Sequence, residues 1–141
     1  MLTLAGADLA RVVAHCRREL PNEACGILGG RAGRVESVHP VRSARPSPGR
    51  YEMDPAEQWL ALDEIDRAGW ELVGIYHSHP AAPAMPSPSD LEAACWPGTN
   101  LPNYPGAVYL IVSLLDRAVP AVKGYVLAVR GFVEVPIEID P

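Results

Sequence analysis

The stretch HSHPAAPAMPSPSD, residues 77–90, gathers His77, His79, Ser87 and Asp90 into one short segment. Residues i and i+2 of a strand point to one face, so His77 and His79 project together. The residues before them, ELVGIY, are apolar on both faces, as in a central strand, and would set Val73 and Ile75 beneath the two imidazoles. Two imidazoles side by side at the carboxyl end of such a strand can reach one zinc ion. The plainer alternative is a strand that simply ends in polar residues. Ser87 and Asp90 also carry two readings. Ser-Pro-Ser-Asp is a helix start, with Ser87 as the cap and Asp90 three residues on, in the manner of a capping box. A helix starting beyond the sheet end can also turn Asp90 toward the histidines. The result would be an open His-His-Asp site with water in the fourth position.

Water activated at such a site must give up a proton, so a base is needed. Glu23 lies between the end of the first helical segment and a short apolar strand, from where it can point into the site. On pattern alone, an exposed loop glutamate is the plainer reading.

The elements that must position these residues follow from periodicity. Residues 7–20 carry Leu9, Val12, Val13, Cys16 and Leu20 at helical spacing, with Asp8 available as a cap and Pro21 as a stop. CGILGG reads as a buried strand, and residues 34–42 as its hairpin partner across GGRAG. SARPSPGR, residues 43–50, is a loop. A second helix follows, with Asp54 at its cap, Pro55 at its first position, Glu57 three residues after the cap and Gly69 at its end. Residues 71–79 form the histidine strand, 87–96 a short helix and 97–106 a loop. Strands are expected near 107–115, 121–129 and 132–139, the last an alternating edge strand. About three helices and about six strands, mixed along the chain, give an α/β or α+β sandwich around one sheet.

Composition sets the outer limits. A chain of 141 residues is expected to be one domain, and 48% hydrophobic with 21% charged residues is ordinary for a globular protein. The formal net charge of -5 argues against nucleic acid as a partner. The longest apolar run, Val108 to Leu115, is too short to span a membrane, and the first residues lack a secretory pattern, so a cytoplasmic location is expected. Cys16, Cys25 and Cys95 are odd in number and form no C-x-x-C, which disfavours a disulfide framework or a cysteine metal site.

His77-Ser78-His79-Pro80, then Ser87 and Asp90, spell H-x-H, seven residues, S, two residues, D. This resembles the signature of the JAMM (MPN-plus) metalloprotease family. NEACGILGG resembles the family's upstream glutamate segment and carries Glu23, and RYEMDP resembles its approach to the second helix. The likeness covers nearly the whole chain. It implies an MPN-like sandwich with one mixed, curved sheet and one Zn2+ per chain. By the same resemblance, His77, His79 and Asp90 would hold the zinc. Glu23 would take a proton from the attacking water and return it to the leaving amine, and Ser87 would donate to the oxyanion. Cys25 is not expected as a ligand, because a fourth protein ligand would fill the water position.

The resemblance further implies cleavage after the C-terminal Gly-Gly of a small ubiquitin-like or sulfur-carrier protein. Release of cysteine or another small adduct from a carrier is favoured over deconjugation from lysines, because the loops at 43–50 and 97–106 leave little room for a second protein. A non-catalytic scaffold of the same fold is the rival of another class, and it would typically lack a ligand or the base. A zinc deaminase would need a glutamate beside the histidine and a C-x-x-C, and neither is present.

Overall fold

The helical pattern of the first segment forms α1, Gly6–Arg18, preceded by a short strand β1, Leu2–Ala5. The computed structural model describes residues 1–141. The cap of α1 is Ala5 without a side-chain bond, and Asp8 lies in the first turn instead of at the cap. β2, Cys25–Arg31, and β3, Arg34–Val41, are the expected hairpin. Its turn is only Ala32-Gly33, both at positive φ, so Gly29 and Gly30 belong to the strand. α2, Pro55–Arg67, starts as expected: the Asp54 side chain accepts from the Glu57 N–H. The histidine strand is β4, Glu71–His79, and the short helix is α3, Pro88–Ala93. β5, Val108–Ser113, and β6, Ala121–Ala128, follow.

The expected last strand is two strands, because Pro136 cannot donate to a ladder. β7, Gly131–Val135, pairs with β6, while β8, Ile137–Asp140, pairs with β1. The sheet therefore has eight strands instead of about six, in the order β7-β6-β5-β4-β2-β3-β1-β8. Since β7 and β8 lie on opposite edges yet only Pro136 separates them, the sheet curls until its edges meet. The Leu2 N–H donates to the Pro136 carbonyl at 3.2 Å there.

The enclosed face holds the larger core. Leu2, Leu4, Leu28, Tyr76, Leu110 and Val112 pack there with Val12 and Cys16 of α1. Burying each such side chain contributes roughly 1.5–3 kcal/mol. On the other face, Ile27 and Val41 pack with Ala61 and Ile65 of α2. Ile75 and Tyr109 pack beside Ala94, just past α3. Gly26 is required by close approach, since a Cβ there would collide with the Tyr76 ring. No helix is long and apolar enough to cross a membrane.

Register within β4 departs from simple alternation at one point. Leu28 pairs with Gly74 but Gly29 with Leu72, so Val73 is the extra residue of a bulge. Val73 therefore packs in the enclosed core, while Ile75 remains on the face of α2 and α3. The two histidines stand above Ile75 alone.

Candidate metal centre

β4 is central, between antiparallel β2 and parallel β5, and its carboxyl end carries His77 and His79 on the α2/α3 face. Both are buried, as are Glu23 and Asp90. Asp90 arrives from α3, whose start closes a full capping box. The Ser87 Oγ accepts from the Asp90 N–H at 3.2 Å, and Asp90 Oδ2 accepts from the Ser87 N–H at 2.9 Å. The helix start and the inward aspartate are thus one arrangement. Asp90 satisfies the cap with Oδ2 and still meets both imidazoles.

His77 Nε2 lies 3.0 Å from Asp90 Oδ1, His79 Nε2 lies 3.1 Å from Asp90 Oδ2, and the two Nε2 atoms are 3.2 Å apart. Ligand atoms at 2.0–2.1 Å from a tetrahedral zinc would be separated by about 3.3–3.4 Å. The observed triangle fits that size and an N, N, O donor set. Two imidazole nitrogens facing each other beside one carboxylate also form a better cradle for a cation than for hydrogen bonds alone.

The supports of the two histidines differ. His79 Nδ1 is 2.8 Å from the Pro83 carbonyl, so its N–H donates there and leaves Nε2 for a metal. That carbonyl is itself held in place: Ser113 Oγ donates to the Ala82 carbonyl and Tyr125 Oη to the Ala84 carbonyl, each at 2.6 Å. His77 Nδ1 has no partner. Its ring is held instead by Tyr51, with centroids 4.8 Å apart and planes tilted by 31°.

Burial would push the Asp90 carboxyl up, but hydrogen bonds from His77 and His79, with the Ser87 N–H, hold it well below the usual range. For His79, burial lowers the imidazole, and the bonds to Asp90 and Pro83 more than reverse this. Glu23 moves the other way. Burial, then the charge of Asp90, pushes its carboxyl up to about 7, partly offset by His79. Its Oε1 is buried with no partner in the protein. A carboxyl raised toward neutrality beside a candidate metal cradle has the properties of a general base.

Cys25 sits opposite His77 in the ladder, yet its thiol donates to the Val41 carbonyl at 3.4 Å and packs toward α2. Burial pushes that thiol up to about 12, so it is not a thiolate at neutral pH. The side chains that the structure brings within reach of one metal ion are His77, His79 and Asp90. Sequence reasoning missed Tyr51, Ser78 and the Pro83 carbonyl. Ser78 did leave a signal: a serine on the buried back face of a central strand needs a hydrogen-bond partner.

Residues 7–125 match the family model described as prokaryotic homologs of the JAB domain. A desampylase of Haloferax volcanii is 39% identical over 119 residues, covering 79% of this chain and 80% of the relative. A CysO-cysteine peptidase of Mycobacterium tuberculosis is 36% identical over 139 residues, covering 94% and 88%. A solution structure of a Desulfitobacterium hafniense protein superposes with a TM-score of 0.85 at 38% identity, covering 99% of this chain and 93% of that one. With the H-x-H strand, the capped aspartate and the curled sheet in place, the chain belongs to the prokaryotic branch of the JAB-domain, or JAMM (MPN-plus), family.

Proposed function

We propose that this protein is a zinc-dependent peptidase that cleaves after the C-terminal Gly-Gly of a small ubiquitin-like or sulfur-carrier protein, releasing cysteine or another small adduct. The observation that carries the reading is the convergence of His77, His79 and Asp90 beside a buried, unpartnered Glu23 carboxylate oxygen. The name of the CysO-cysteine peptidase supports it. Residues 1–141 act as one catalytic domain, with the cytoplasm as the place of action.

His77, His79 and Asp90 would hold the zinc, one ion per chain. When bound, zinc in such a site lowers the pKa of water from 15.7 to about 7 and polarises a carbonyl. The remaining work falls to side chains. Glu23 accepts the proton of the attacking water as the new C–O bond forms. It then returns that proton to the amine nitrogen as the C–N bond breaks. Ser87 Oγ accepts from the Asp90 N–H and lies 3.0 Å from Ser89 Oγ; with Ser89 as the donor of that pair, the Ser87 hydrogen turns to the oxyanion. One such donor is worth about 2.7–4 kcal/mol.

Lysine deconjugation is the second reading, favoured by the desampylase relative. A direct comparison separates the two. A Gly-Gly carrier extended by one cysteine should be cleaved faster than the same carrier joined to a lysine side chain, and chelation should abolish both activities. Cleavage of the lysine conjugate alone would reverse the assignment. Cleavage of neither by zinc-loaded protein would leave the scaffold.

A further inference from the structure

We propose that Ser78, the residue between the two histidines, is a positioning residue that sets the catalytic glutamate. The β2–β4 ladder runs only to the Cys25–His77 pair, so Glu23 and Ala24 lie just beyond it. Two contacts then fix this segment to the end of β4. The Ala24 N–H donates to Ser78 Oγ at 2.8 Å, and the Ser78 N–H donates to the Ala24 carbonyl at 3.1 Å. A third contact holds the other side of the segment: the Glu23 N–H donates to the Ser47 carbonyl at 2.9 Å. The Glu23 carboxylate has little else to steady it, since Oε1 has no protein partner. Its place is therefore set from the backbone, and one of the three backbone anchors is the Ser78 hydroxyl.

The back of β4 supports this arrangement. Ser78 is fully buried, as are Tyr76 and Cys16. Tyr76 Oη, two residues earlier, is bound to His15 Nδ1 at 2.6 Å. One strand thus presents His77 and His79 on one face and, through Ser78 on the other, secures the segment that carries the base. The two histidines and the segment of the base are tied to one strand, as a preorganised site requires.

The inference rests on Glu23 being the base, and the test separates the two claims. Ser78→Ala removes the side-chain anchor but keeps the main-chain bond from residue 78. Zinc content should stay at one per chain, KM should change little, and kcat should fall roughly 10- to 100-fold, as expected for a displaced catalytic group. Ser78→Thr, which keeps the hydroxyl, should recover most of the rate. The decisive arm is the double variant. In a Glu23→Gln background, Ser78→Ala should cause no further loss, because its only route to the reaction has been removed. A purely structural serine would instead lower the rate by the same factor in both backgrounds. Multiplying losses, loss of zinc in Ser78→Ala, or an unchanged kcat would each overturn the proposal. If Glu23→Gln itself cleaves at the wild-type rate, the assignment of the base falls, and this proposal with it.

Discussion

The two sides of the centre are held by different means. Asp90 and Ser87 are fixed within four residues of chain by a capping box at the start of α3. Glu23 is fixed by segments far away in sequence, through Ser47 on one side and Ser78 on the other. A helix start carries its geometry with it, whereas the proposed base depends on strands that meet only in the folded protein. The ligand side should therefore tolerate distant changes, and the base side should be sensitive to them.

The largest test of that contrast is on the base. Glu23→Gln should lower turnover by at least the 10²–10⁴-fold typical of general acid–base catalysis, with fold and substrate affinity unchanged in titrations of a Gly-Gly carrier. Wild-type turnover would move the base to another residue. On the local side, Ser87→Ala should cost the 10²–10³-fold expected for one oxyanion donor. It should also lower stability by about 0.5–2 kcal/mol through the lost cap, read by denaturant unfolding. A loss of stability without loss of rate would reduce Ser87 to its capping role.

A smaller effect concerns pH in zinc-stripped protein. Glu23 ionises near 7 when folded but near its ordinary 4.5 when unfolded. Between these values the folded state holds the extra proton, so stability should fall as pH rises from about 4.5 to 7. His79, raised by Asp90, adds stability at low pH that is lost as pH rises through its folded value, which is the same sign. Asp90 is depressed, so its contribution is lost only on acidification through and below its unfolded value of 3.8. Melting temperatures across this range should decline, and Glu23→Gln should flatten the decline; a rise would contradict the burial of Glu23. The smallest effect is expected from Cys25→Ser, which should keep zinc and most activity, since the thiol is turned to Val41 and not to the cradle. Loss of both would make Cys25 part of the centre.

What the sequence revealed follows the same division. The capping box and the same-face histidines are local patterns, and both appear as read. The α2 cap at Asp54 and its end at Gly69 are local as well. The misreadings involve distant partners. β1 is only Leu2–Ala5 and exists because β3 and β8 flank it. The split at Pro136 lets the chain pass from one sheet edge to the other, which alternation within 132–139 cannot reveal. Val73 changes face through a bulge set by its pairing with β2. Tyr51 lay in a segment with no period at all, and its place against His77 is a product of the fold. Glu23 reads on pattern alone as a loop glutamate for the same reason, although its place between the first helix and a short strand already marks it as a candidate base.

The most direct test of the account is the zinc content of three purified proteins: the unaltered chain, Asp90→Ala and Glu23→Gln. A centre made of His77, His79 and Asp90 with a base that touches only water predicts one zinc, none and one, respectively. Full zinc in Asp90→Ala, or its loss in Glu23→Gln, would contradict this division of ligands from base.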